Sequence, residues 1–295
     1  MKLYFYRGHQ PNFGDELNHW LLPKVFPGFF DDSEDELFLG IGSVLFDHHP
    51  QAPTKIVFGS GYGGYTPLPR FDARWKVYCV RGPRTAAACG LPLDKVAGDA
   101  AILIHRFHGL APARRAGASF MPHWESLQRG QWEAVCRLAG VRFIDPRRPV
   151  EQVLQEIATS EVLVTEAMHG AIVADALRVP WVPVLPFHRS HHFKWHDWAE
   201  SLGMRLAPYA LWPSSALEAH VARYQGDGGA LKWPGRPLGL ALRVANRAFL
   251  LAAAARLQRA ARVAPSLSSD AALARALDRL QSSAERIRQD FAVRA

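Results

Sequence analysis

The chain has 295 residues, 48% of them apolar and 21% charged, and a formal net charge of +8. This composition excludes a disordered chain, and the length provides for about two domains whose core needs no disulfide staples. No apolar run is long enough to span a bilayer, and the opening Met1–Arg7 segment is too short in apolar residues for a signal peptide.

In chain order, Leu3-Tyr4-Phe5-Tyr6 reads as a strand, followed by a loop and a helix from near Asp15 to near Pro23. Apolar runs at 37–41, 55–58 and 76–80 predict buried strands, and Gly82-Pro83 opens a helix that Gly90 can close. The pattern loosens at 112–117 and a second alternation begins. Strands are predicted at 119–121, 141–144, 161–165 and 181–184, with helices at 127–139, 150–159 and 170–177. Strand and helix in alternation predict parallel sheets covered by helices. The expected architecture is α/β, with Rossmann-like halves at residues 1–112 and 113–235 facing a cleft. The cysteines, Cys79, Cys89 and Cys136, have neither zinc-site nor disulfide spacing, which points to a reducing cytosol.

From residue 236 onward the composition shifts to Ala, Leu and Arg. This tail, 236–295, holds eleven arginines and four acidic residues, so it alone carries +7 and the rest is close to neutral. That distribution argues against nucleic-acid binding over the main surface and for a basic appendage that meets an anionic lipid surface. Phe249, Ala253 and Leu257 fall on one helical stripe, Pro265-Ser266 breaks the helix, and a second begins near Ser269-Asp270. The stripe can rest on lipid or pack back across the first domain.

Chemistry is expected where strands give way to helices, because ligands of open parallel sheets sit at the carboxyl ends of strands and helix N-termini offer N–H groups to anions. Asn12, Gly14 and Asp15 follow the first strand, either as a ligand loop or as a tight turn with a cap. Gly42 and Ser43 follow the second, where glycine permits close approach of a phosphate or sugar. Arg81 ends a buried strand at the mouth of a helix, a place from which a guanidinium can fork onto a carboxylate or phosphate, and Arg84 points the same way or into solvent. His169, beside Gly170, sits between an apolar strand and an apolar helix and suits proton transfer near neutrality. Glu166 can orient it or pair with an arginine. His123 also follows a strand and can face the cleft, while His188 and His191 share a loop that can cover it. His192 and His196 stand i, i+4 apart but lack a third ligand at diagnostic spacing, so no metal is expected.

The ordered series Asn12-Phe13-Gly14-Asp15-Glu16, Gly40-Ile41-Gly42-Ser43, Val80-Arg81-Gly82-Pro83, Gly98-Asp99-Ala100-Ala101 and Met168-His169-Gly170 resembles the polysaccharide pyruvyl transferase family over about residues 1–205. The stretch 165–177 is most similar to the ketal-forming branch that decorates exopolysaccharides of the succinoglycan type. The resemblance implies a two-domain fold like that of GT-B glycosyltransferases, phosphoenolpyruvate as donor substrate, no cofactor, and a sugar or lipid-linked oligosaccharide as acceptor. It implies His169 as proton donor and Arg81 as the group that holds the donor anion. Many members carry an arginine two residues before the histidine. Here that position is Ala167, so anion binding is expected to rest on Arg81 or on an arginine such as Arg189. Competing readings are a glycosyltransferase that uses a nucleotide sugar and a non-catalytic carbohydrate- or lipid-binding scaffold.

Overall fold

The computed structural model describes residues 1–8, 10–107, 115–225 and 239–291, with side chains of the last segment described from 244 onward. The boundaries expected near 112 and 235 lie outside the described residues.

The first half contains β1 (Lys2–Tyr4), α1 (Phe13–Val25), β2 (Glu36–Leu39), β3 (Thr54–Ser60), β4 (Trp75–Val80) and α2 (Pro83–Ala88), and closes on a 3-10 turn over Ala100–Arg106. Its four strands are all parallel and stand in the order β1-β2-β3-β4. Val96 bridges Val80 in parallel, adding a strand-like segment beside β4 that delivers Asp99 to the same end of the sheet. The run Ile56 to Ser60 is buried throughout, as expected of a parallel strand covered on both faces.

The second half contains β5 (Ala118–Met121), α3 (Trp124–Arg129), α4 (Trp132–Ala139), β6 (Arg142–Phe143), α5 (Val150–Ala158), β7 (Val162–Thr165), α6 (Met168–Ala176), β8 (Trp181–Pro183), α7 (His192–Ser201) and α8 (Ala216–Tyr224). Its strand order is β6-β5-β7-β8, again all parallel. The order reverses at β5, so the chain leaves β5 toward one edge and returns on the other side as β7. The crevice at such a switch point is the usual ligand site of an open α/β sheet. Where one helix is predicted over 127–139, the chain makes two. They part at Gly130, whose Cα faces the Glu218 carboxylate and the Ser214 hydroxyl with no room for a side chain.

One continuous apolar core joins the halves. Phe38, Ile56 and Phe58 of the first sheet belong to it, as do Met121, Leu163 and Trp181 of the second. Of the C-terminal helices α9 (Gly239–Ala260) and α10 (Asp270–Phe291), α10 joins this core and α9 packs in a second cluster. Ala253, Leu257 and Ala260 of α9 are buried with Trp132 and Val135 of α4, so the expected apolar stripe packs on the second half rather than across the first. Ser266 then pairs with Trp181 at the edge of β8. It is α10 that crosses to the first half: Tyr78 donates to Asp290 at 2.5 Å, Arg288 donates to the Val25 carbonyl at 2.5 Å, and Phe291 packs edge-on against Phe29. Arg247, Arg259 and Arg262 remain exposed, and Arg256 lies over the Tyr209 ring. Among the described residues no helix is long and apolar enough to cross a membrane.

Candidate active site

The carboxyl ends of both sheets open onto one cavity of about 290 Å³. Seven of the expected site residues line it, Asn12, Gly14, Asp15, Gly42, Ser43, His123 and His169, as does His191 of the expected covering loop. Asn18 explains how the first sheet presents its share. Buried in α1, it donates to the carbonyls of Asp15 and Ile41 and accepts from the Ile41 N–H, locking the loop after β2 against the start of α1. Gly42 follows with φ +122°, a conformation that side chains rarely adopt, and so brings bare backbone to the wall. Asn12 Nδ2 donates to Asp15 Oδ2 at 2.8 Å. Burial pushes the Asp15 carboxyl up from its ordinary value, against the lowering effects of the Asn12 bond and the His169 and Lys194 charges.

His169 lies in the first turn of α6, just after β7. An added Cβ at Gly14 would overlap its ring, Nδ1 first, so this glycine is the seat on which the imidazole rests. On the other edge, Nε2 is buried and faces the buried Asp99 Oδ2 at 3.7 Å, and neither atom has another partner. Asp99 Oδ1 is meanwhile fixed by the Ala101 N–H at 3.0 Å. A fixed carboxylate thus stands behind one imidazole nitrogen. The first sheet therefore supplies both the floor and the backing of a histidine carried by the second.

Five expected site residues stand elsewhere. Arg81 has no exposed surface. Its Nε donates to Asp197 Oδ2 at 2.8 Å, Nη1 to Ser43 Oγ at 2.9 Å and Nη2 to the Tyr62 carbonyl at 2.7 Å. Asp197 also accepts from the Thr85 N–H and hydroxyl. Gly82 lies against the Asp197 backbone with no room for a Cβ. The Val80-Arg81-Gly82-Pro83 motif is thus the platform on which α7 docks. Arg81 reaches the cavity only through Ser43, and a direct grip on a donor is corrected to a place behind the wall. Arg84 forks onto Glu200 at 2.6–3.0 Å in an exposed ion pair between α2 and α7, so it lies on the solvent side and not in the cavity. Glu166 turns away from His169: its Oε2 accepts the His123 N–H at 2.9 Å, and burial and the Glu218 charge push its carboxyl up to about 8. Gly170 packs beneath, against Met121 and Thr165. Arg189 is exposed, with its backbone N–H on Gln225 Oε1. His192, once paired with His196, spends its Nε2 on the Pro186 carbonyl at 2.8 Å.

The cavity gains what its arginines do not supply from α7. Lys194 lines it, and burial together with the nearby Arg81 guanidinium pushes the ammonium down to about 8. No motif surrounds Lys194, and the docking of α7 on the Arg81 platform, through Asp197, aims it inward. His191, Glu125, Trp124, Tyr6 and Tyr65 complete the wall; the two tyrosines are 57% and 50% exposed, which leaves their faces at the cavity mouth.

Comparison with known proteins agrees with the resemblance. Residues 42–186 match the family described as polysaccharide pyruvyl transferase. The chain is 37% identical over 318 aligned positions to the succinoglycan biosynthesis protein ExoV of Rhizobium meliloti (strain 1021), covering 99% of this chain and 100% of that one. Among solved structures, the wall teichoic acid polymerase TagF (H548A) aligns over 97% of this chain and 89% of its own at 9% identity and a TM-score of 0.34, too low to carry an argument. Near-complete coverage at that identity to ExoV, with the motifs converging on one cavity, makes this chain an enzyme of the polysaccharide pyruvyl transferase family.

Proposed function

We propose that the enzyme transfers pyruvate from phosphoenolpyruvate onto a sugar of a bacterial exopolysaccharide or its lipid-linked precursor, forming a pyruvate ketal. The observation that carries this reading is the convergence of His169, Asp15 and Lys194 on one cavity. Family membership and the succinoglycan role named for the relative support the acceptor class. The two parallel sheets facing one cavity support a GT-B-like arrangement.

The donor carries a carboxylate and a phosphate. Lys194 supplies a cation where the family position two residues before the histidine holds Ala167, whose small side chain leaves room. The N-terminus of α6, at Met168 and His169, adds backbone N–H groups and the positive end of a helix dipole. Arg81 holds Ser43 in place from behind.

The chemistry then needs one acid and one base. His169 gives a proton to the vinyl carbon of the donor, and the first acceptor hydroxyl adds to the carbon that bears the phosphate. Asp15 takes that hydroxyl's proton; its raised proton affinity suits the task. The second hydroxyl adds as the bond from carbon to phosphate oxygen breaks, and its proton leaves with the phosphate. The first hydroxyl's proton replaces the one that His169 gave, so two hydroxyl protons end on a methyl group and a phosphate, and nothing is oxidised or reduced. Tyr6, Tyr65 and Trp124 offer ring faces for the sugar.

The tail has a separate role in this reading. Arg247, Arg259 and Arg262 form a basic face, and a lipid-linked acceptor places the enzyme at the inner membrane surface. The test of the reaction class compares phosphoenolpyruvate with nucleotide sugars as donors. Phosphate release that depends on both phosphoenolpyruvate and a sugar acceptor is expected. Turnover with a nucleotide sugar alone would make the enzyme a glycosyltransferase, and turnover with neither would leave a scaffold.

A further inference from the structure

We propose that His123, Glu125 and His191 form a binding site for one divalent transition-metal cation of the zinc class. His123 follows β5, Glu125 stands in the first turn of α3, and His191 closes the short turn before α7. One donor atom from each lies within 4.8 Å of the other two. His191 Nε2 is 3.2 Å from Glu125 Oε2, and His123 Nδ1 is 3.9 Å from the same oxygen. Ligands held about 2.0–2.2 Å from a tetrahedral zinc stand roughly 3.3–3.5 Å apart, so the widest pair has to close by up to about 1.4 Å, within reach of side-chain rotation, to complete the geometry.

The second observation is independent of that spacing. His123 is 5% exposed and its Nδ1, aimed at the Glu125 carboxylate, is buried without any hydrogen-bond partner. A buried ring nitrogen left unpaired is costly and calls for a ligand. The supports of a metal site are also in place. Glu166 anchors His123 through its backbone N–H, and Arg129 Nη1 donates at 3.2 Å to Glu125 Oε2, the same oxygen that faces both imidazoles, and fixes its position. Two imidazoles and one carboxylate, with a position left open, is the donor set of a catalytic zinc site.

The neighbouring charges select the kind of cation. Lys194 and Arg129 both lie within electrostatic reach of this trio, so the site does not attract cations by net charge. Affinity must come from the bonds to imidazole nitrogen, which suit zinc, cobalt, nickel or copper and not magnesium or calcium. All three residues line the cavity that holds His169, so the open position faces the substrate. That an oxygen of the donor phosphate takes this position rests on the pyruvyl-transfer reading; the metal site itself does not.

The test uses untagged full-length protein stripped with a chelator and titrated with Co²⁺, followed by Zn²⁺ in competition. One equivalent of Co²⁺ with visible absorption bands, displaced by Zn²⁺ and not by Mg²⁺, is expected. His191→Ala and Glu125→Gln should each weaken binding at least about tenfold, while His196→Ala, outside the trio, should bind as wild type. Circular dichroism identifies any variant that fails to fold, and the other variant then decides. Absence of stoichiometric Co²⁺ or Zn²⁺ binding by the wild type would overturn the proposal, as would unchanged affinity in a folded His191→Ala or Glu125→Gln. Failure here would leave donor-dependent phosphate release untouched, which separates it from failure of the proposed reaction.

Discussion

The two parallel sheets turn their carboxyl ends toward the same cavity, yet they bring different things to it. The first runs β1-β2-β3-β4 without a reversal. Its contribution is mostly close-approaching backbone and short polar groups: Gly14 under the His169 ring, the Gly42 turn, and the Asn12–Asp15 pair. The second sheet reverses at β5, and the crevice between β5 and β7 gives its loops room for long side chains. His123 and His169 stand on the two lips of that crevice. Strand order thus separates the half that carries His169 from the half that seats it, and the cavity wall takes residues from both.

That division can be broken at the joint. Arg81 of the first half and Asp197 of α7 are both fully buried and bonded to each other. Asp197→Ala leaves a buried guanidinium without its charge partner, and a loss of about 3–5 kcal/mol in chemical denaturation is expected. A loss under about 1 kcal/mol would mean that the docking of α7 does not depend on this pair. The seat can be tested without touching His169. Gly14→Ala pushes the imidazole off its floor, and a displacement of about 1 Å can cost about a hundredfold in turnover, with the fold kept. Turnover within a few-fold of wild type would remove Gly14 from the positioning of His169.

The second half also carries a buried carboxyl, Glu218, whose proton affinity is raised. Burial pushes Glu218 up to about 7, although Trp132 and Ser214 donate to it. Its folded value exceeds its unfolded one, so the folded chain keeps a proton that the unfolded chain releases. The resulting stability is present below about pH 4.5 and is lost as the pH rises toward 7. Thermal melts of Glu218→Gln should show a flatter decline over that window than wild type; parallel curves would contradict the raised value. The smallest expected effect lies in the tail. Full-length protein should sediment with anionic vesicles at low salt and be released at high salt, where surface charges are screened. Substituting Arg247, Arg259 and Arg262 together by Gln should reduce that binding; full-length protein that ignores vesicles at low salt ends the lipid role.

Much of this was legible in the sequence because it is local. Apolar runs marked strands buried on both faces, and the glycines and polar residues that follow β1 and β2 fell at the cavity, as did His123 and His169. What escaped was set by distant partners. Arg81 reads as an anion clamp because its partner Asp197 lies 116 residues later on a helix without a motif. Lys194 reaches the cavity only because that helix is docked there, and Glu125 had no sequence mark beyond its neighbour His123. The tail's apolar stripe was visible, but its packing on α4 depended on Trp132 and Val135, which sequence order does not place beside it. The glycine break between α3 and α4 likewise follows from the Glu218 side chain, 88 positions away.

The central claim is that His169 protonates the vinyl carbon of phosphoenolpyruvate. It is tested most directly by running the reaction in D₂O with wild type and His169→Asn and following the product methyl group by NMR. The expected product is a ketal methyl carrying one solvent deuterium, formed by the wild type and slowed at least about a hundredfold in the variant while donor binding by calorimetry persists. A product that keeps the vinyl group, or a folded His169→Asn that forms the same ketal near the wild-type rate, would contradict it.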